Sequence, residues 1–261
     1  MFQNRFTLRG IRLVWIVLIL AATSCVPIKK QIYLQTGTEE SDTVFYRLDH
    51  TPDYKIQTGN NLYVKVFSVD KEMYEFFNLG FSTSGNVYYD AAVYLNSYSV
   101  NDSGYTELPF IGKLYVKGLT LDEVKNAIQE RVDQFLKNTM VIVKLVNYNV
   151  TVVGEVARPG QIKVYQDHMN LFEAIGLAGD MTTFAKRDEV ILVRKSETGS
   201  TIHKVNLLED RLLESEYFYI MPGDVIYVQP VKGKNFAFVS FPYTLVISSI
   251  SLAIGLFALF K

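Results

Sequence analysis

A chain of 261 residues can hold two small domains, each with its own core. Hydrophobic residues make up 49% and charged residues 20%, which excludes a disordered chain, and the formal net charge of -1 lacks the basic excess of a nucleic-acid binder. The 17 tyrosines and 17 phenylalanines suit β-strands first and a sugar-facing surface second.

The N-terminus carries Arg5, Arg9 and Arg12, an apolar run from Leu13 to Ala22, and then Ala21-Ala22-Thr23-Ser24-Cys25. A basic segment, a short apolar segment and small residues before a cut site are the marks of a secretory signal. Residues 1–24 are therefore expected to be removed. Cys25, the single cysteine, stands where bacterial processing attaches diacylglycerol to a thiol. The alternative is an uncleaved signal anchor with an incidental cysteine, but the run is short for a membrane span.

Residues 25–52 are polar and aperiodic, with Lys29, Lys30, Glu39, Glu40 and Asp42, and read as a tether. The alternation Leu62-Tyr63-Val64-Lys65-Val66-Phe67 predicts a strand. Residues 72–104, rich in Asn, Ser and Tyr, read as an insertion of turns and short strands. Thr120 followed by Glu123 forms a capping box. Leu121, Val124, Ile128, Val132 and Phe135 recur at helical spacing behind it, so a helix is predicted to about Lys137. Strands follow at 140–145 and 150–153. Asn170 caps a short helix over 171–178, with Glu173 three residues on and Gly179 as its stop. Strands at 189–194 and 224–228 complete the pattern.

From Phe241 to Phe260 the chain has no charge, and Lys261 follows. Twenty residues at about 1.5 Å each match a bilayer core of about 30 Å, so residues 240–260 are expected to form a transmembrane helix. Thr244, Ser248, Ser251, Gly255 and Ala258 make a stripe of small or polar residues down one face. Such a stripe permits close helix contact or lines a lumen. A Ser-rich apolar segment also produces this spacing by chance.

Several passages resemble the polysaccharide biosynthesis/export family. Residues 53–66, opening Asp53-Tyr54-Lys55-Ile56-Gln57-Thr58-Gly59-Asn60, are similar to the family's Tyr-x-Ile-x-x-Gly-Asp start. Asn60 stands where that pattern usually has Asp, and Asn can make the same local hydrogen bonds. Residues 108–120, from Leu108-Pro109-Phe110 to Gly118-Leu119-Thr120, resemble its second passage. Val152-Val153-Gly154-Glu155-Val156-Ala157-Arg158-Pro159-Gly160, the helix at 171–180 and Tyr219–Val228 resemble a soluble-ligand-binding β-grasp (SLBB) domain. The resemblance implies an α+β chain with a polysaccharide export domain at 53–147, one β-grasp-like domain at 148–231 and the single C-terminal helix. It further implies an outer-membrane lipoprotein with periplasmic domains. Such proteins form a homo-oligomeric ring that conducts capsular or exopolysaccharide, together with an inner-membrane co-polymerase or chain-length regulator.

A search for chemistry assigns no catalytic residue, metal site or cofactor. His50, His168 and His203 lack metal-ligand spacing, and no nucleophile elbow or phosphate loop occurs. Glu155 reads as a surface carboxylate beside a turn. Pro159-Gly160 and Pro222-Gly223-Asp224 read as turns in which the glycine can take positive φ. Two functions compete: a conduit for polysaccharide, and a lipoprotein that binds or senses polysaccharide without forming a pore. An enzyme is the third and weakest reading. If Cys25 carries the lipid, mass spectrometry of protein extracted from membranes should find an acylated chain beginning at Cys25. Cys25→Ser should leave the precursor unprocessed.

Overall fold

The computed structural model describes residues 28–36, 43, 45–46, 52–69, 90–196, 199–231 and 243–259. The expected signal segment, Cys25, His50 and most of the expected insertion lie outside them. The strands are β1 (Asn61–Ser68), β2 (Tyr98–Ser99), β3 (Tyr105–Leu108), β4 (Gly112–Tyr115), β5 (Thr139–Leu145), β6 (Asn149–Gly154), β7 (Gly160–Lys163), β8 (Met169–Asn170), β9 (Ala185–Ser196), β10 (Gly199–Val205), β11 (Tyr219–Ile220) and β12 (Val225–Pro230). The helices are α1 (Asp90–Leu95), α2 (Leu121–Val132), α3 (Leu171–Leu177) and α4 (Tyr243–Leu259).

Alternation sets the first core. Leu62, Val64 and Val66 of β1 are buried while Tyr63 and Lys65 are less so, the period expected of a half-covered strand. β1 pairs antiparallel with β5 along its length and with β2 on its other edge. α2 lies over this sheet with Val124, Ile128 and Val132 buried. Its capping box is formed: Glu123 N–H donates to Thr120 Oγ1 at 3.2 Å, and Thr120 N–H donates to Glu123 Oε2 at 2.7 Å. The helix ends at Val132, short of the predicted Lys137, and Phe135 is exposed. The chain turns early because Gln129 ties the helix to β5, accepting from Val141 N–H at 2.9 Å and donating to Thr139 Oγ1 at 2.9 Å. β3 and β4 form a hairpin within the same core. Asn60 fills the expected local role, accepting from Gln57 N–H at 2.7 Å and from the Tyr54 hydroxyl at 3.0 Å.

The second core belongs to a five-stranded sheet of order β10-β9-β12-β6-β7, in which β12 and β6 are parallel and the other pairs antiparallel. α3 buries Leu171, Ala174 and Ile175 against it. The Asn170–Glu173 capping box is present, both bonds at 2.9 Å, and Gly179 takes φ +79 just past the helix. Gly154, with φ +97, is a position for glycine alone, since a Cβ there would meet the Val228 carbonyl oxygen at 2.0 Å. Gly160 does not adopt the expected positive φ and instead opens β7. Gly223 does adopt it, at +85. The buried carboxylate of Asp224 closes that turn. It accepts from Met221 N–H at 2.7 Å and pairs with Arg194 of β9 at 2.8 Å.

The expected tether is ordered where it is described. Leu34 N–H and Gln35 N–H donate to the carbonyls of Leu207 and Leu208, and Gln35 bridges to Glu209. Tyr33 donates to Asp180 at 2.7 Å and meets Phe172 edge-on, while the Arg187 guanidinium lies 5.4 Å from its ring centre. The Tyr46 hydroxyl reaches Asp210 at 2.5 Å. The segment before the first domain is thus a strap across the second.

The terminal segment forms a helix, but the twenty-residue membrane span is not found. α4 has 17 residues, and Phe241, Pro242 and Phe260, which completed the expected span, lie outside the described residues. Its length is about 25 Å against a core of about 30 Å. Among the described residues no helix is long and apolar enough to cross a membrane.

Asp224→Ala would leave the Arg194 guanidinium without its carboxylate, and should lower unfolding stability by roughly 3–5 kcal/mol. Adding Arg194→Met should restore part of the loss, measured by urea denaturation of the soluble domains. Burial, then the bond to Asp180, pushes the Tyr33 phenol up to about 12. The docked strap therefore favours the neutral phenol, and this contribution is complete below about pH 10 and lost as pH rises towards 12. The tyrosinate absorbance of the protein minus that of Tyr33→Phe should titrate near pH 12 and not near pH 10.

Candidate functional site

The two cores meet at a very short connection. Asn147 belongs to the first domain by its bonds: its Oδ1 accepts from Asn61 N–H at 3.0 Å, and its Nδ2 donates to the Gly59 carbonyl at 2.9 Å. Tyr148, the next residue, belongs to the second. Its hydroxyl donates to the Ile220 carbonyl at 2.7 Å, and its own carbonyl accepts from Val164 N–H. Leu145 packs against both cores. With successive residues fixed on opposite sides, little freedom remains at the junction.

A cleft of about 770 Å³ opens beside this connection. On the first domain it is lined by Tyr54, Tyr63, Leu121, Leu145 and the α1 residues Val93, Tyr94 and Leu95. On the second it is lined by Tyr148, Asn149, Pro222 and the segment from Lys163 to Asp167. Lys144, at the end of β5, reaches across and donates to both carboxylate oxygens of Asp167, at 2.7 and 2.8 Å. Both partners are more than half exposed, so the pair adds little stability but fixes two charges at the cleft. Five tyrosines from the two domains face the space. Tyr94 and Tyr165 are 55% and 77% exposed, whereas Tyr148 is buried. Burial raises the phenol pKa of Tyr148, and that of Tyr54, where the bond to Asn60 opposes the shift in part. These phenols stay neutral and act as donors.

The residues singled out from sequence fall elsewhere. Cys25 is outside the described residues. Thr244, Ser248, Ser251 and Gly255 lie exposed on α4, and Ala258 lies in its last turn. His203 stacks on Tyr217 at 4.2 Å and His168 meets Tyr219 edge-on at 6.3 Å, and among the described residues no group of three or more His, Cys, Asp or Glu could hold a metal ion. Glu155 is not the surface carboxylate expected: it is 9% exposed and accepts from the Thr182 hydroxyl at 2.8 Å, tying β6 to the loop before β9. Tyr94, Lys144, Tyr165 and Asp167 carried no motif. The only sequence signal was the excess of tyrosine, which does not show where the rings gather.

Residues 48–146 match the polysaccharide biosynthesis/export protein family, and residues 149–205 match the SLBB domain. The boundary between the matches falls at the Asn147–Tyr148 connection. The chain is similar to the EPS I polysaccharide export outer membrane protein EpsA of Ralstonia nicotianae, with 26% identity over 204 residues, 76% of this chain and 53% of that protein. It is similar also to the protein of that name from Ralstonia solanacearum, with 24% identity over 192 residues, 70% of this chain and 49% of that one. The chain thus spans about half the length of these curated relatives.

Proposed function

From the premise that the chain belongs to the polysaccharide biosynthesis/export family and carries an SLBB domain, we propose that it exports polysaccharide at the outer membrane as one subunit of an oligomeric conduit. The observation that carries this reading is the order of the two matched domains in one chain that aligns over 76% of its length with a protein named for polysaccharide export at the outer membrane. The role is passage of a hydrophilic polymer, with no covalent step assigned to this chain. Energy and control of polymer length come from an inner-membrane co-polymerase.

Lipid on Cys25 anchors each subunit. That lipid is close in sequence to the part of the chain bonded to the second domain, since only two residues separate Cys25 from Ile28–Lys30. α4, too short in its described residues to cross a bilayer, packs against lipid and against the same helix of neighbouring subunits, with the Thr244, Ser248, Ser251, Gly255 and Ala258 stripe at the contacts. Support for this comes from its exposed apolar side chains, among them Ile247, Ile250, Leu252 and Ile254. A bilayer or a bundle of copies would cover them, and water does not.

The cleft favours the second reading, a lipoprotein that binds polysaccharide without forming a pore. The two readings separate on assembly. Full-length lipidated protein in mild detergent, imaged as single particles, is expected to form closed rings with a central opening. A uniform monomer would replace the conduit with the binding protein. Removing residues 239–261 should leave a folded, lipidated protein in which surface polysaccharide is lost. Normal surface polysaccharide in that strain would refute the role given to α4.

A further inference from the structure

We infer that the cleft between the two domains is a saccharide subsite, holding a short stretch of hexose units against Tyr94 and Tyr165 with Lys144 and Asp167 bonding their hydroxyls.

The size, the wall and the placement of charge agree on this class of ligand. A volume of about 770 Å³ lies within the range of small-ligand pockets, roughly 300–1,000 Å³, and junctions between domains are where such pockets concentrate. A pyranose ring has an apolar C–H face and an equatorial belt of hydroxyls. It therefore needs flat aromatic carbon beside groups that both donate and accept. The cleft has both: tyrosine rings from each domain, and a carboxylate and an ammonium fixed against each other at 2.7 Å. Asp167 has lone pairs left after its bonds to Lys144, and Lys144 has one proton left for an acceptor. Asn149 and Gln166 add amides to the same lining.

Other ligand classes fit less well. An acyl chain would find a charged pair in its way. A nucleic acid would require several cations, and the lining has two lysines, of which Lys144 is paired with Asp167. A sister α4 helix carries no charge to answer Lys144 and Asp167 and would bury both with at most a few hydroxyls for partners. The exposure of Tyr94 and Tyr165 has a direct reason in this assignment, since a ring that stacks on a passing sugar must stand in the open. The bonds at Asn147 and Tyr148 hold the two walls at a set distance before ligand arrives, which keeps the ordering cost of binding low.

The inference rests on the polysaccharide reading and refines it. Its test uses full-length protein in detergent and oligosaccharides obtained by partial hydrolysis of the producing strain's own surface polysaccharide, titrated by calorimetry. Wild-type protein should show saturable binding. Tyr165→Ala and Asp167→Asn should each weaken it by about tenfold, the scale of one aromatic or charged contact. Tyr105→Ala, at a part-exposed position of β3 outside the cleft lining, should bind as wild type. Both tyrosines are surface-exposed, so folding should survive, and the thermal unfolding of each variant checks this. Absence of saturable binding, or equal binding by all the variants, overturns the subsite. A change in particle size without a change in sugar affinity also overturns it, by making the cleft a subunit contact. Surface polysaccharide in a strain lacking the whole protein separates the two levels. If export stops without the protein yet proceeds normally with Tyr165→Ala and Asp167→Asn, only the subsite fails. If export continues without the protein, the export reading itself fails.

Discussion

The carboxylate of Asp224 has 1% of its side chain exposed, and the second domain is assembled around it. A charge at that depth is tolerable only when every lone pair finds a donor. Arg194 supplies two nitrogens from β9, and Met221 supplies its N–H from the turn before β12. The Asp224 carbonyl then accepts from Thr151 N–H, which begins the parallel pairing of β12 with β6, and Gly223 N–H donates to the Asn149 carbonyl. One buried group therefore fixes the order of the three central strands. It also fixes Pro222 and Asn149, which form part of the cleft.

From there the constraint passes to the domain junction. Tyr148 is anchored by its hydroxyl to Ile220, beside the same turn, while Asn147 is held by the loop before β1. Both walls of the cleft are continuous with hydrogen-bonded backbone on either side of a single peptide bond. The Lys144–Asp167 pair crosses the gap without setting it, since an exposed ion pair is too weak for that task.

The strap adds a second long-range link. Residues before the first domain bond to the second, so chain order and spatial order differ. Tyr33 is held by Asp180, Phe172 and Arg187, residues from the end of α3, its start and β9. The part of the chain ahead of the first domain is therefore held by the second.

Local rules made much of this legible in the sequence. Thr120 with Glu123 and Asn170 with Glu173 announce helix starts, since a cap is satisfied within four residues. The alternation of Leu62, Val64 and Val66 announces a half-buried strand, since side chains in a strand have a fixed period. Gly223 announces a turn, and the ordered passages announce the family. Tertiary structure alone decided the rest. Residues 199–205 form a strand because β9 is there to pair with, though their own pattern is polar and exposed. The helix after Thr120 stops at Val132 because Gln129 is bonded to β5, which no local periodicity encodes. Glu155 is buried because Thr182 comes to meet it, and the strap is ordered because Leu207 and Leu208 offer it carbonyls. The cleft is the clearest case: Tyr94, Lys144, Tyr165 and Asp167 are spread over some seventy positions, and only the packing of two separate cores brings them to one place.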